Sequence, residues 1–195
     1  MNAALQTLLT QLERFGQDND RAITERPRRM LNITRDTGEF LSVLVRAMTA
    51  RRILEIGTSN GYSTLWLADA AHAVGGHVTT VELSEYKTDL AASNFAQAGL
   101  ADVITQRRQD AGQVLTEAAD ESVDLLFLDS ERSEYVAWWP ALRRVLRKGG
   151  LLVVDNATSH AEEMAPFMAL VGADGDFTTV LVPIGNGEFL ATRSA

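Results

Sequence analysis

The segment Glu55-Ile56-Gly57-Thr58-Ser59-Asn60-Gly61-Tyr62-Ser63 ends an apolar run and carries two glycines four positions apart. Glycine permits positive φ and close backbone approach. A helix opening near Gly61 offers free N–H groups and a partial positive charge to an anion. Glu82 ends the next apolar run, 25 positions beyond Gly57, where a carboxylate can accept both hydrogen bonds of a ribose diol. Together these residues point to a cofactor that contains a nucleoside. Asp110 follows a third run; it can accept from an adenine amino group, and it is also a favoured helix N-cap. Asp129 ends a fourth run and Asp155-Asn156 a fifth. Two carboxylates and an amide oxygen form a hard, all-oxygen set of the kind magnesium takes. Alternatively, Asp129 takes a cofactor ammonium while Asp155 and Asn156 hydrogen-bond within a loop.

The glycine spacing discriminates among nucleoside cofactors. The dinucleotide fingerprint G-x-G-x-x-G uses its middle glycine to admit a pyrophosphate, and here Ser59 stands in that place. The spacing better suits a cofactor with one carboxylate and no phosphate, of which S-adenosylmethionine is the common example. A nicotinamide cofactor, or glycines serving only a tight turn, are the alternatives. The chain has 195 residues, no Cys and 3 His, which excludes disulfide scaffolds, Cys-ligated metals and thiol catalysis. A net charge of −8 disfavours polyanions and anionic membranes. No basic n-region followed by an apolar stretch marks a signal peptide, and no span-length apolar run occurs. A cytoplasmic protein is the expectation.

Several elements must position these residues. Leu5, Leu8, Leu9, Leu12 and Phe15 form one helical stripe over 2–16, ending at the polar QDND, and a second helix starts near Gly38. Strands are expected at Arg52–Ile56, His77–Glu82, Asp102–Gln106, Val123–Asp129 and Leu151–Asp155. Helices are expected near 61–74, 84–98, 110–119, 133–147 and 159–171. Runs such as LLFLD and LLVVD lack polar alternation, as strands covered on both faces do. Repeating β-then-α predicts a doubly wound, mostly parallel α/β sheet. Phe177–Ile184 and Glu188–Arg193, separated by Gly185-Asn186-Gly187, predict a closing antiparallel hairpin and a total of seven strands. The expected organisation is one structural domain, with an N-terminal helical segment over 1–50 and a cofactor-binding body over 51–195. In the helix after Asp129, Trp138 and Trp139 cannot both face the core; core or dimer packing, or lining an acceptor pocket, are their roles.

Assembled, these positions resemble the metal-dependent small-molecule O-methyltransferases, the family of catechol and caffeoyl-coenzyme A O-methyltransferases, whose fold is Rossmann-like. The resemblance runs from about Leu31 to Arg193. It rests on Gly38-Glu39-Phe40-Leu41, LEIGTSNGYS (54–63), Val81-Glu82, Gln109-Asp110-Ala111, Phe127-Leu128-Asp129, Val154-Asp155-Asn156 and Gly185-Asn186-Gly187. It implies that Gly57, Ser59, Gly61, Ser63, Glu82, Asp110, Ala111 and Asp129 contact S-adenosylmethionine, with Ile33 covering it. It also implies that Asp129, Asp155 and Asn156 hold Mg2+ or another divalent cation, and that the acceptor is a small catechol-like or phenolic hydroxyl compound. The N-terminal amphipathic helix covers the sheet end or serves in a dimer, as such helices often do in this family, and a homodimer is the expectation.

Two departures matter. The family reads D-x-x-K after the fourth strand, its Lys taking the substrate proton, whereas this chain reads Asp129-Ser130-Glu131-Arg132. Arginine stays protonated and cannot be the base, although its charge can stabilise an oxyanion. The proton then passes to water or to His160. The segment after Asp155-Asn156 is also short, so the acceptor specificity does not carry over. Other readings are a tRNA or other nucleic-acid methyltransferase using Arg26, Arg28, Arg29, Arg35, Arg107 and Arg108; a nicotinamide-dependent oxidoreductase; and a cofactor-binding protein without acceptor chemistry.

Overall fold

The structure, a computed structural model, describes residues 1–194. Helices α1 (Ala3–Ala22) and α2 (Arg35–Met48) precede the alternating part of the chain. There follow β1 (Arg52–Ile56), α3 (Tyr62–Ala73), β2 (His77–Glu82), α4 (Glu85–Ala98), β3 (Ile104–Arg108), α5 (Ala111–Glu117) and β4 (Val123–Leu128). The chain finishes with α6 (Tyr135–Val145), β5 (Leu146–Val154), α7 (Ala161–Gly172), β6 (Phe177–Val182) and β7 (Glu188–Arg193). One seven-stranded sheet runs in the order β3-β2-β1-β4-β5-β7-β6. Strands β1 to β5 pair in parallel, and β7 is antiparallel to both β5 and β6. The expected doubly wound sheet with a closing hairpin is therefore present. Its antiparallel member lies one place inside the edge.

Alternate residues of each strand serve opposite faces. Ile53, Leu125, Phe127 and Val153 face a cluster built from α1, α2, α3 and α4. Leu54, Leu126, Leu128 and Val154 face α5, α6 and α7. The leucine stripe of α1 (Leu5, Leu8, Leu9 and Leu12) is buried in the first cluster, so that face is occupied by the chain's own core. Trp139 packs edge-to-face on Phe177 at 4.9 Å, while Trp138 is half-buried beside Tyr135.

Some boundaries differ from expectation. Helix α1 continues through QDND to Ala22, with Gln17 and Asp18 exposed and Asn19 and Asp20 half-buried, and Asp20 accepts from Met30 N (2.7 Å) and Leu31 N (2.8 Å) to anchor the returning chain. The third strand starts at Ile104, two residues late, since Ala101–Val103 winds into a 3-10 turn. Strand β5 begins at Leu146 and runs through Gly149, whose positive φ of 69° accompanies a register shift against β4. Among the described residues no helix is long and apolar enough to cross a membrane. Of the basic side chains grouped above, Arg26, Arg35, Arg107 and Arg108 each face an acidic partner, Glu131, Glu13, Glu117 and Glu85 respectively. These pairs leave little of a continuous basic patch.

Candidate active site

Register aligns the strand ends. Ile56 pairs with Val81 and with Leu128, and Leu128 pairs with Val154. Gly57, Glu82, Asp129 and Asp155 therefore emerge along one edge, at the β1–β4 switch point where open α/β sheets bind ligands. A cavity of about 330 Å³ lined by Arg52, His77, Arg107 and Glu117 lies at the opposite strand ends and is not part of this site.

The glycine turn is held from several sides. Gly57 has φ 108°, and a Cβ there would stand 1.9 Å from the Asp129 carbonyl oxygen. Gly61 has φ 85°, and its Cβ would meet the Phe95 ring at 2.4 Å. Both glycines are thus required by packing as well as by any ligand. Ser59 also has positive φ, 48°. Its N–H donates to Glu82 Oε2 at 3.0 Å, and its Oγ donates to the Met30 carbonyl at 2.7 Å. Glu82 Oε1 accepts from Leu83 N (3.0 Å) and Ser84 N (2.9 Å). Three backbone donors fix this carboxylate, and an ionised carboxylate has about four lone-pair sites, so one site stays open on Oε2 for a hydroxyl, and a second hydroxyl would share or displace one of the backbone donors.

Ser63 behaves differently from the expectation of a free contact. Its Oγ donates to Glu55 Oε1 at 2.5 Å, and Thr64 and Thr80 donate to Oε2 of the same carboxylate. Glu55 is fully buried, and that burial outweighs the hydroxyl bonds and pushes its pKa up to about 7. A charged residue inside the apolar LEIG run was the signal for this group, which sequence reasoning did not use. Asp110 caps α5, accepting from Gln113 N at 3.0 Å; it is exposed, with half-buried Ala111 next to it. Ile33 is 4% exposed and packs within the first core cluster, whereas Leu31, two residues earlier, is open to solvent.

The acidic end of the site gathers more residues than expected. Burial, reinforced by the Asp155 charge, raises the pKa of Asp129; burial also raises that of Asp155. Glu188, the first residue of β7, is completely buried, and its Oε1 accepts from Thr37 Oγ1 at 3.0 Å. Burial and the Asp155 charge beside it push the pKa of Glu188 up to about 10. Sequence reasoning missed Glu188; the antiparallel pairing of Phe189 with Val154 is what brings it to Asp155. Ser130 N donates to Tyr135 Oη at 2.8 Å, pinning the turn after Asp129. From that turn Arg132 reaches inward at 7% exposure, its Nε donating to Glu163 Oε2 at 2.7 Å and its Nη1 to Asn156 Oδ1 at 3.3 Å. Asn156 Nδ2 donates to Asp155 Oδ2. His160 precedes α7 without capping it, and its Nδ1 lies 3.0 Å from Ser159 Oγ.

These contacts test the expected magnesium set. Asp155 Oδ1 and Glu188 Oε2 are buried without a hydrogen-bond partner. The amide oxygen of Asn156, which would complete a three-oxygen set, is engaged by a permanent cation. As arranged, with its amide oxygen turned to Arg132, Asn156 does not complete a three-oxygen set with Asp129 and Asp155 for a divalent ion.

A sheet of this order, with a glycine turn after β1, an acid after β2 and one antiparallel strand near the edge, defines the class of Rossmann-like methyltransferases. The chain belongs to the O-methyltransferase family, whose model matches residues 3–193, and it is an enzyme of that family. It is 34% identical over 177 residues to a provisionally named O-methyltransferase of Mycobacterium sp. (strain JLS), covering 83% of this chain and 79% of the relative. It is 37% identical over 124 residues to the catechol O-methyltransferase of Mycobacterium tuberculosis, covering 64% of this chain and 56% of that protein. The structure of the O-methyltransferase from Bacillus cereus in complex with SAH superposes with a TM-score of 0.79 at 26% identity, over 100% of this chain and 92% of that one.

Proposed function

We propose that the protein transfers the methyl group of S-adenosylmethionine to a hydroxyl oxygen of a small phenolic, catechol-like acceptor. The observation that carries this reading is the Glu82 carboxylate, oriented by three backbone N–H groups at the β1–β2 strand ends and joined to the glycine turn through Ser59. In this reading Glu82 takes the ribose diol, Asp110 and Ala111 flank the adenine, and Asp129 takes the ammonium. The Gly57–Ser63 turn seats the amino-acid tail. The SAH complex of the Bacillus cereus relative supports the cofactor, and the relative named catechol O-methyltransferase supports the acceptor class.

The chemistry is an in-line displacement. The acceptor oxygen forms a bond to the methyl carbon, the carbon–sulfur bond breaks, and its electron pair neutralises the sulfonium. The products are a methyl ether, S-adenosylhomocysteine and a proton. Holding donor and acceptor in line at near-attack distance supplies most of the acceleration. A phenol of pKa about 10 must lose its proton near neutrality. His160 at the start of α7, or water, receives it. Arg132 faces the charge left behind. Magnesium assistance, expected from sequence, has no step here because Arg132 engages the Asn156 oxygen. A homodimer and a cytoplasmic location belong to this proposal as well; size-exclusion chromatography with light scattering checks the first.

Incubation with S-adenosylmethionine and a panel of catechols and monophenols, read by mass spectrometry, tests the reaction. A methylated catechol together with S-adenosylhomocysteine is expected. Methylation confined to nitrogen acceptors or to RNA would overturn the reading.

A further inference from the structure

We propose that the Arg132 guanidinium is the resident cation of the acceptor site, taking the place a divalent ion would occupy beside Asp129, Asp155 and Asn156, so that this chain transfers methyl groups without a bound metal. The inference rests on the proposed methyl transfer for its consequence, but its structural basis is independent. Arg132 is 7% exposed and anchored from α7 by Glu163 Oε2 at 2.7 Å, so its direction is set before any ligand arrives. Its Nη1 donates to Asn156 Oδ1 at 3.3 Å, the oxygen a metal would need. The turn that presents it is short and fixed, since Ser130 N is held by Tyr135 Oη at 2.8 Å and Tyr135 is 1% exposed.

A guanidinium stays charged in any ordinary environment. A dication on the same amide oxygen would stand a few ångströms from that charge, in a site where burial weakens screening. The positive charge that a metal would offer the acceptor oxygen is already present and covalently attached. When the acceptor O–H gives its proton to water or His160, the oxygen's negative charge faces Arg132, and attack on the methyl carbon expels the neutral thioether. Arginine's fork of donors suits this role, because one edge can hold Glu163 and Asn156 while other N–H groups stay available.

Electron paramagnetic resonance of Mn2+ tests the proposal without any turnover. Full-length protein, dialysed against EDTA and then desalted, is titrated into Mn2+, and the free-ion signal is followed. The expected result is a signal unchanged by the wild-type protein. Stoichiometric loss of that signal would overturn the proposal. Arg132→Met frees the Asn156 oxygen and should bind Mn2+ on the order of 10- to 100-fold tighter than wild type, the range over which neighbouring groups tune metal sites. An Arg132→Met protein that still gives wild-type heat with S-adenosylhomocysteine, yet gains no Mn2+ binding, would also overturn it. Arg132→Lys should keep more of the turnover than Arg132→Met, with EDTA leaving the wild-type rate unchanged. Failure of the cofactor reading would appear separately, as absent S-adenosylhomocysteine heat in the wild type.

Discussion

The carbonyl oxygen of Asp129 occupies the space in which a side chain at Gly57 would begin, 1.9 Å from an ideal Cβ. The contact arises because β1 and β4 are neighbours at the switch point and Asp129 N also donates to the Ile56 carbonyl at 3.0 Å. Gly57→Ala should therefore combine a positive-φ cost of about 1–3 kcal/mol with displacement of the β4 strand end. Gly75 has φ 69° and nothing within 4 Å of its Cβ, so Gly75→Ala should show only the backbone cost, about 1–2 kcal/mol. Urea unfolding of the two variants checks the order; equal losses would show that the Asp129 contact has no weight.

Glu55 predicts a pH dependence. Its folded pKa of about 7 lies above its ordinary 4.5, so the native state binds the proton more tightly than the unfolded chain does. The stability it contributes is full below about 4.5, falls as pH rises, and is lost above about 7. Integrated over that window the loss is about 3 kcal/mol. Glu55→Gln removes the titration while keeping one carbonyl acceptor, for Ser63 on one side or for Thr64 and Thr80 on the other. The difference between wild-type and variant unfolding free energies should therefore slope between pH 4.5 and 7 and be flat above it. A difference independent of pH would contradict the assignment.

Asp124 predicts the opposite sign. Arg51 N and Arg52 N each donate to its Oδ2 at 2.9 Å, while Arg52 and Arg147 side chains reach Oδ1 at 2.8 and 2.7 Å. These donors hold its pKa below the ordinary 3.8 despite burial. Its stabilisation is present above about pH 4 and fades as pH falls toward the depressed value. Asp124→Ala should cost about 1–3 kcal/mol at pH 7, because the backbone N–H groups of Arg51 and Arg52 lose their acceptor at the start of β1 and the two half-exposed guanidinium groups lose their partner. The deficit relative to wild type should narrow below pH 4 in chemical denaturation.

Much of this arrangement was legible in the sequence because each apolar run ends in a polar residue, and parallel register brings those ends to one edge. Glu82, Asp129 and Asp155 lie where that logic puts them. Asp110 fills the N-cap that its type suggested. What could not be read depends on long-range pairing. Glu188 meets Thr37 across 151 positions, and only the antiparallel insertion of β7 beside β5 brings it to Asp155. Arg132 could be named as a departure from the family's Lys, but its hold on Asn156 is a matter of side-chain direction. The tail of α1 differs from expectation for a related reason: in QDND Gln17 and Asp18 face solvent, while the half-buried Asp20 is polar because it holds Met30 and Leu31 from the returning chain.

Titration calorimetry with S-adenosylhomocysteine on ligand-stripped protein probes the cofactor site most directly. The wild type should bind one equivalent per chain. Glu82→Ala should bind at least about tenfold more weakly, since hydrogen bonds to a charged group contribute about 1.5–3 kcal/mol each. Absence of heat in the folded wild-type protein, or unchanged affinity in a folded Glu82→Ala variant, would contradict the account.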